Sequence, residues 1–431
     1  MTTKKTRMVL VMLAIVCRVR SRIRTRFIQV TMERGTEDAE VVVRMNCFSP
    51  ETIGRMRRVI LNASIVAMIL IPSAGSIARS DDVLLPPKPN APPTVDFWYG
   101  EEQTFGALGD SNPLINILGS IRPASQAANI WYRLNNEKAQ QMVIGPDLHR
   151  LARRGDFNIE IERNRLRSGS NTLRITLHDL WGRKRVADLK IEYVGDRKWP
   201  LPYQVDFSKV EKLQSVVDVI DGKWDLTELG ARTAEPYYDR TFAFGDRHWK
   251  DMELHAELIF HRQFVDFEHR VHSGPPYLSH AHASFNLRWA GFPEDGTVPR
   301  RAWQSLGCLV ALRCDLAQAK AGSYWWMHYG YARKEIKAKR SEMTRDTRFE
   351  ITPDQRYHYR MRAETVADGR TRYSTRLWKD GEEEPAHWQM IGTDIAETVA
   401  SGAIVFVVHH SDVTLCSIEV KELASAVTRS P

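Results

Sequence analysis

The sequence predicts an all-β protein built from two successive β-sandwiches. Residues 249–260, W-K-D-M-E-L-H-A-E-L-I-F, alternate between polar and apolar side chains for the length of a strand, a pattern typical of a strand with one dry face. Strand-length runs with β-branched or aromatic alternate positions recur from residue 95 to residue 420, and turn residues separate them. Helical periodicity is scarce in 203–423, so stacked sheets are the favoured architecture.

Length and charge limit the possible functions. The chain has 431 residues, enough for two or three domains with full cores. Its net charge is +8, but residues 1–79 hold 14 Lys or Arg and 5 Asp or Glu, whereas the remainder holds 47 basic and 48 acidic residues. Because the folded part carries no basic excess, a nucleic-acid partner is not predicted.

Residues 1–79 form a basic leader that contains a predicted export signal. An arginine-rich stretch at 55–58 precedes the apolar run 59–72, and small residues at 73–78 offer a cleavage site near Ala78. The apolar run is short and interrupted by polar residues, which disfavours a membrane span. We therefore predict an exported protein, periplasmic, at the cell surface or secreted. The alternative is that the leader stays uncleaved and anchors the protein, which would be its one predicted contact with a membrane.

Two further expectations concern this region. A second apolar run lies between basic stretches upstream, so Met45 or Met56 is a candidate for the true start. A proline-rich linker is predicted over 80–93, because its prolines exclude a helix and stiffen the chain.

Cysteine usage predicts neither a disulfide framework nor a metal centre. Beyond the leader stand Cys308, Cys314 and Cys416, and three cysteines allow at most one bridge. They show no zinc-type spacing, and the pair His280 and His282 has no third ligand close in sequence. No metal and no cofactor are predicted.

Residues 94–197 form the first predicted domain. Short strands are predicted at 95–99, 129–134, 156–161, 172–178 and 187–194. The segment L-R-S-G-S-N-T-L-R-I-T-L-H-D-L-W-G at 166–182, followed by 187–193, resembles the last strands of bacterial immunoglobulin-like or cadherin-like modules. That resemblance implies an immunoglobulin-like β-sandwich with a spacer or adhesive role. Asp179 is interpreted as a turn-capping residue, with a calcium ligand as the alternative.

Residues 203–423 form the second predicted domain. Besides 249–260, strands are predicted at 282–289, 309–313, 324–329, 357–364, 371–378, 403–409 and 414–420. Asp-Gly pairs at 295–296, 368–369 and 380–381 are typical of hairpin turns. The segments 224–226, 249–260, 357–369, 373–388 and 402–420 together resemble the concanavalin A-like lectin/glucanase superfamily, particularly its laminin-G-like and 3-keto-disaccharide hydrolase-like branch. The resemblance implies a jelly-roll sandwich whose concave sheet often holds sugars.

One strand face carries a candidate catalytic pair. Glu253, His255 and Glu257 share the polar face of the strand at 249–260, and glucanases of this fold place two Glu on one face with an Asp between them. Residues four apart on a strand are about 13 Å apart along it, although side chains leaning inwards could approach the roughly 5 Å of a retaining pair. The central His departs from the pattern, because it supplies no negative charge. A solvated strand face is the alternative.

A second set of residues is predicted to bind the glycan. Indole rings stack on sugar C–H faces, and Arg, His and Glu pair with hydroxyls. The candidates are His255, His282, Arg288, Trp289, Trp326, His328, His358 and Arg360. Because His358, Arg360 and Arg362 share one side of their strand, an acidic sugar is one hypothesis.

The predicted function is that of an exported carbohydrate-binding protein that recognises a polysaccharide or other glycan on the concave face of the jelly roll. Two alternatives stay open. One is a glycoside hydrolase or related sugar-cleaving enzyme using Glu253 and Glu257, so enzymatic activity is left undecided. The other is a structural adhesin without a sugar site.

Overall fold

A computed structural model describes two parts of the chain. It covers the strand residues 8–19, 22–34 and 41–47, and then 90–147, 149–195, 197–262, 280–292, 298–300, 306–315, 323–330, 348–349, 351–394 and 399–423. The backbone alone is described at 8–19, 22–34, 41–47, 262, 280, 313–315, 323–330 and 348–349. The chain divides into two compact units, Met1–Leu84 and Leu85–Pro431.

The first unit contains a three-stranded antiparallel sheet. Its strands are β1 (Met8–Val19), β2 (Arg22–Arg34) and β3 (Val41–Cys47). The upstream apolar run of the leader is strand β1. The predicted signal region 55–78 and residues 80–89 of the predicted linker lie outside the described residues.

The first part of the second unit is a two-sheet sandwich. Its strands are β4 (Thr94–Phe97), β5 (Glu102–Phe105), β6 (Leu114–Arg122), β7 (Ala127–Leu134), β8 (Gln140–Gln141), β9 (Asp156–Glu162), β10 (Gly169–Asp179) and β11 (Lys184–Tyr193). One sheet has the order β4-β6-β9 and the other β5-β11-β10-β7-β8. Strand β10 buries Leu173, Ile175 and Leu177 completely, because alternate residues of a strand share a face.

The turn between β10 and β11 is built as the sequence predicts. Asp179 accepts hydrogen bonds from the backbone N–H groups of Trp181 and Arg183, both at 2.9 Å. Gly182 has φ +77°, a left-handed conformation that glycine adopts at no steric cost. The turn-capping interpretation of Asp179 is therefore confirmed.

The second part of this unit is a larger antiparallel sandwich. Its strands are β12 (Tyr203–Asp206), β13 (Asp218–Asp221), β14 (Trp224–Thr227), β15 (Gly230–Thr233), β16 (Arg240–Phe244), β17 (Met252–Arg262), β18 (His280–Trp289), β19 (Gly307–Asp315), β20 (Ser323–Gly330), β21 (Arg348–Phe349), β22 (Arg356–Thr365), β23 (Thr371–Lys379), β24 (Met390–Thr393), β25 (Ala403–His409) and β26 (Asp412–Glu422). An eight-stranded sheet has the order β14-β15-β26-β17-β22-β23-β24, with β12 also paired to β26. A seven-stranded sheet has the order β13-β16-β25-β18-β19-β20-β21.

Regular structure other than strands is sparse in the described ranges. Short 3₁₀ turns occur at Ala124–Gln126, Arg163–Arg165, Phe207–Lys209 and Leu213–Ser215.

The predicted all-β class is confirmed, as is the two-sheet sandwich of the second part. Among the described residues, no helical segment has the length and hydropathy that a membrane crossing requires.

Strand β17 has the predicted dry and wet faces. Met252, Leu254, Ala256 and Leu258 are completely buried between the two large sheets, while the alternating polar residues are partly exposed. The strand begins at Met252 and not at Trp249, because the Trp249 N–H closes a turn onto the Asp246 carbonyl at 3.0 Å.

An aromatic cluster fills the centre of the large sandwich. Phe406 of β25 lies 4.9 Å from Phe285, 5.5 Å from Phe242 and 5.9 Å from Trp224, measured between ring centroids. All four rings are buried. Such ring pairs stabilise a core beyond the area that they bury.

Buried ion pairs join the smaller sandwich to the larger one. Arg150 is 2% exposed, and its Nε donates to Asp221 Oδ2 at 2.8 Å while its Nη1 donates to Glu160 Oε1 at 2.5 Å. Its Nη2 donates to the Ile220 carbonyl at 2.9 Å. Arg163 donates similarly to Asp218 at 2.7 Å. The two sandwiches are therefore held at a fixed contact.

The segment that connects the two sandwiches also packs against the core of the larger one. Trp199, which lies between the two sandwiches in the sequence, is 4% exposed and belongs to the core of the larger sandwich. Its backbone N–H donates to Asp246 Oδ2 at 3.0 Å. Gly109 has φ +131°, and a Cβ there would lie 2.5 Å from the Trp199 nitrogen, so the smaller sandwich approaches this connection closely.

The described cysteines are buried and reduced. Cys308 and Cys416 are both free thiols, and burial raises the pKa of Cys308 well above its ordinary value. A thiol in such surroundings is chemically inert. The side chain of Cys314 lies outside the described part of the chain.

Candidate functional site

The predicted catalytic strand and its neighbour present one continuous polar surface on the outer side of the eight-stranded sheet. Antiparallel pairing of β17 with β22 sets Glu253 opposite Arg362, His255 opposite Arg360 and Glu257 opposite His358. We call this surface the charged face, and it comprises Glu253, His255, Glu257, Arg356, His358, Arg360 and Arg362. Facing residues on paired strands lie about 5 Å apart, so their charges meet directly.

Two arginines hold Glu253 at one end of the charged face. Arg360 Nη1 donates to its Oε1 at 2.8 Å, and Arg362 Nη2 donates to its Oε2 at 2.5 Å. Burial raises the pKa of Glu253, but these hydrogen bonds outweigh burial and the net shift is downward. Glu253 is therefore an ionised acceptor, which is the wrong state for a general acid.

The middle of the charged face is a stack of rings. The planes of His255 and Trp378 are 1° apart with centroids at 5.7 Å, and His358 lies 5.1 Å from Trp378. His255 Nε2 contacts His358 Nδ1 at 3.2 Å, and His358 Nε2 contacts Asp380 Oδ1 at 3.0 Å. Burial, with the charges of Arg360 and His358, lowers the pKa of His255, so this ring is neutral at pH 7.

A groove opens at the other end of the charged face, beside Glu257. Glu257 Oε2 accepts from Arg356 Nη1 at 2.8 Å. The groove has a volume of about 320 Å³. Its lining comes from β12, the 3₁₀ turn that follows it, the β14–β15 turn, β17, β22 and β26, and comprises Gln204, Val205, Asp206, Ser208, Glu228, Leu229, Glu257, Arg356, Cys416 and Ser417. Asp206 and Glu228 were not among the sequence candidates, because they come from strand ends without an alternating signal.

A second polar cluster lies on the outer side of the seven-stranded sheet. His282 of β18 is paired with His409 of β25, and their rings stack at 5.0 Å with planes 5° apart. His409 Nδ1 contacts Asp239 Oδ1 at 2.7 Å. We call Asp239, His282 and His409 the histidine cluster. His282 therefore does not join the charged face, because the two clusters lie on different sheets.

Two of the residues predicted to bind the glycan, Arg288 and Trp289, are buried and have structural roles instead. Arg288 is 1% exposed, and its guanidinium donates to the Lys250 carbonyl at 2.9 Å and to Thr365 Oγ1 at 2.8 Å. A register shift between Leu287 and Trp289 turns it towards the interior. Trp289 is 1% exposed and packs on Phe292 at 5.5 Å.

The other predicted ligand-binding residues fall into two groups, those on the charged face and those whose side chains are not described. His255, His358 and Arg360 meet Glu253 and Glu257 on the charged face, as the strand parity predicts. Trp326 and His328 lie on β20, where only the backbone is described. Asp239 and His409 were not among the sequence candidates either, because nothing local marks them and only tertiary pairing brings them together.

Comparisons with known proteins find remote similarity only. No family model matches the chain, and no curated protein does. Among solved structures, the exoplasmic/lumenal domain of VIP36 in its Ca²⁺/Man3GlcNAc-bound form is 15% identical, with 49% of this chain and 88% of that chain covered and a TM-score of 0.32. The potassium-bound carbohydrate recognition domain of Emp46p is 11% identical, with 51% and 96% covered and a TM-score of 0.35.

A third similar structure is an enzyme. The Crh5 transglycosylase in complex with NAG is 8% identical, with 53% of this chain and 90% of that chain covered and a TM-score of 0.32. Similarity at this level transfers neither a ligand nor an activity to this chain.

The ion pairs of Glu253 lead to a pH-dependent stability prediction. Its folded-state pKa is lowered, so its contribution to stability is present above its unfolded pKa, about 4.3, and is lost as the pH falls through the folded value. We expect Glu253→Gln to unfold more easily than wild type by about 1 kcal/mol near neutral pH, after discounting for solvent screening. Urea unfolding followed from neutral pH into acid should show this difference shrinking.

A control for this measurement is Glu419→Gln. Glu419 pairs with the exposed Lys421 at 3.0 Å, so its removal should leave stability nearly unchanged. A difference between wild type and Glu253→Gln that grows in acid would contradict the assignment of Glu253 as a stabilising ionised group.

Proposed function

We propose that this chain is an exported glycan-binding protein whose ligand occupies the groove beside Glu257. The observation that carries the proposal is the groove itself, about 320 Å³ of open space on the charged face with carboxylate, guanidinium, hydroxyl and amide groups around it. Ligand sites in proteins begin at roughly this volume. Sugar hydroxyls both donate and accept, so they are suited to such a mixed lining.

The lining favours a neutral sugar over an acidic one. Among the described residues that line the groove, Asp206, Glu228 and Glu257 supply three carboxylates and Arg356 supplies one guanidinium, which is already paired with Glu257 at 2.8 Å. Lys209 beside the groove pairs with Asp206 at 2.8 Å, so one excess negative charge remains. A uronic acid would meet net negative charge there, which is unfavourable. This argument revises the acidic-sugar hypothesis. Leu229, 48% exposed, supplies apolar surface for a sugar C–H face.

The smaller sandwich is proposed to be an immunoglobulin-like module. Its two sheets and roughly one hundred residues support that assignment. Its β5 pairs in parallel with β11, whereas the other pairs within it are antiparallel. Because Arg150 and Arg163 bind it to the larger sandwich, we infer that it acts as a rigid platform for the glycan site and less as a flexible spacer.

Glycoside hydrolysis by Glu253 and Glu257 is not our proposal. Guanidinium groups bind Glu253 at both oxygens and Glu257 at one oxygen. A retaining enzyme needs one carboxyl that keeps its proton until it reaches the leaving group. The hydrogen bonds to Glu253 work against that requirement.

Glu257→Gln tests the glycan site. We expect this variant to bind a neutral polysaccharide roughly tenfold to hundredfold more weakly than wild type, because it loses the charge that strengthens a hydrogen bond to a sugar hydroxyl. Isothermal titration of the full chain against a panel of neutral and acidic polysaccharides would measure this loss. The fold should survive, because the pair with Arg356 is partly exposed.

The matched control is Glu364→Gln. Glu364 lies on the same face of β22, six residues beyond His358, which places it about 20 Å from the groove. Equal weakening by both substitutions would contradict the site, and stronger binding of acidic polysaccharides would contradict the charge argument. A wild-type chain that binds no glycan in the panel would favour a structural adhesin. Release of reducing sugars that Glu257→Gln abolishes would favour the hydrolase.

A further inference from the structure

The histidine cluster combines three metal-ligating side chains from separate parts of the chain. His282 belongs to β18, His409 ends β25, and Asp239 directly precedes β16. One ligand atom from each residue lies within 4.8 Å of the others. All three residues are buried, with whole-residue exposures of 9% for Asp239, 5% for His282 and 4% for His409.

We propose that the histidine cluster binds a divalent transition-metal ion of the zinc class. Two imidazoles and one carboxylate are a donor set that zinc takes in catalytic sites, where a fourth position is left for water or substrate. Calcium and magnesium prefer all-oxygen sites, so two nitrogen donors select against them. The site lies on the seven-stranded sheet and is separate from the groove proposed for glycans.

Neighbouring hydrogen bonds prepare His282 for this role. Ser284 Oγ donates to the Val407 carbonyl at 3.2 Å. Its one hydrogen is thereby used, so its contact with His282 Nδ1 at 3.1 Å must have the imidazole as donor. A neutral His282 then carries its hydrogen on Nδ1 and presents Nε2 as the ligating nitrogen. Metal-bound histidines are held by their second nitrogen in this way.

Asp239 and His409 already form a pair that a metal ion can enter. Their 2.7 Å contact places one hydrogen between a carboxylate oxygen and a ring nitrogen. A bound ion would take the place of that hydrogen, and the neutral His409 ring would then carry its single hydrogen on Nε2 instead of Nδ1. Binding thus requires a change of tautomer and no new side chain.

The backbone around the cluster has an uncommon conformation. Asp239 has φ +39° and His410, next to His409, has φ +46°. Non-glycine residues in the left-handed region are uncommon and concentrate at functional sites. Here they terminate β25 and precede β16, so they set the positions from which the two ligands project.

The distances call for a modest closure. Zinc–ligand bonds of about 2.0–2.1 Å separate the ligand atoms of a tetrahedral site by roughly 3.3 Å. Since the three ligand atoms lie within 4.8 Å of one another, the widest separation has to shrink by about 1.5 Å at most, whereas the 2.7 Å contact between Asp239 and His409 has to open by about 0.6 Å. Small side-chain rotations supply such a movement, so the strands can keep their register.

Zinc binding by the tag-free full chain is the direct test. Equilibrium dialysis followed by elemental analysis should find one strongly bound Zn²⁺ per chain, and Zn²⁺ should raise the melting temperature because it binds the folded state. Substitution with Co²⁺ should produce the intense visible absorption of a tetrahedral site. A wild-type chain that binds no Zn²⁺ would overturn the proposal.

Variants locate the bound ion. His282→Gln, His409→Gln and Asp239→Asn should each weaken Zn²⁺ binding by about 100-fold or more, and Ser284→Ala, which removes a supporting hydrogen bond, by about tenfold. The matched control is His255→Gln on the charged face, which should bind Zn²⁺ as wild type does. Zinc retained by all three ligand variants, or lost in His255→Gln, would overturn the assignment.

Loss of folding is separated from loss of a ligand in two ways. Far-ultraviolet circular dichroism and melting without metal show whether each variant is folded. If a ligand variant does not fold, Ser284→Ala and the Co²⁺ spectrum of wild type decide the question. An unchanged affinity in Ser284→Ala together with an octahedral Co²⁺ spectrum would overturn the proposed site.

Discussion

Arg150→Met is expected to destabilise the compact unit Leu85–Pro431 by about 3–5 kcal/mol, because removing one partner leaves buried charges without compensation. Arg150 reaches Asp221 at 2.8 Å and Glu160 at 2.5 Å, with the guanidinium itself fully covered. Its Nη2 also satisfies the Ile220 carbonyl at 2.9 Å. Methionine preserves most of the apolar stem, so the change isolates the charged group.

Urea unfolding monitored by tryptophan fluorescence would measure this effect. The matched control is Arg174→Met in the same sandwich. Arg174 pairs with Asp188 at 2.7 Å, but both side chains are more than two-fifths exposed, so we expect its loss to leave stability nearly unchanged. If the two substitutions cost the same, the contact between the sandwiches is not held by the Arg150 network.

Phe406→Ala should destabilise the large sandwich by about 3–5 kcal/mol, which is the range for truncating a buried phenylalanine. Phe406 is completely buried and lies between Phe285 of the same sheet, at 4.9 Å, and Trp224 of the opposite sheet, at 5.9 Å. Truncation opens a cavity that these rigid rings cannot fill. Chemical denaturation of the full chain measures the loss.

Phe406→Leu is the control for size and shape. Leucine retains most of the apolar volume, so we expect a smaller loss than with alanine. The glycan affinity of both folded variants should stay near that of wild type, because Phe406 does not line the groove. A cost below about 1 kcal/mol for alanine would contradict the assignment of this ring to the central core.

Strand prediction succeeded where one face is wet. Strands β10, β17 and β22 alternate between buried and partly exposed residues, and the sequence carries that period of two directly. Strand β16, R-T-F-A-F, was not predicted; every residue in it is buried, so it lacks the alternation of a half-exposed strand. Strand β25 is equally buried but was predicted, because its apolar run is longer and β-branched.

The candidate site was predicted only in part, because that prediction too relied on the regular alternation of side-chain directions along a strand. Parity along β17 and β22 correctly grouped Glu253, His255 and Glu257 with His358 and Arg360, since alternate residues of paired strands share a face. Parity failed at Arg288, where a register shift beside Trp289 reverses the side-chain directions. A bulge of this kind leaves no mark in the hydrophobic pattern.

The sequence by itself determined the all-β class, the boundaries of most half-exposed strands and the polar row on β17, because these depend on local alternation and turn chemistry. Only the tertiary structure decided that two arginines pair with Glu253, that Arg150 ties the two sandwiches together, and that Asp239 meets His409. Asp239 and His409 are 170 residues apart. Their meeting depends on strand order and register, which long-range pairing sets and no local pattern encodes.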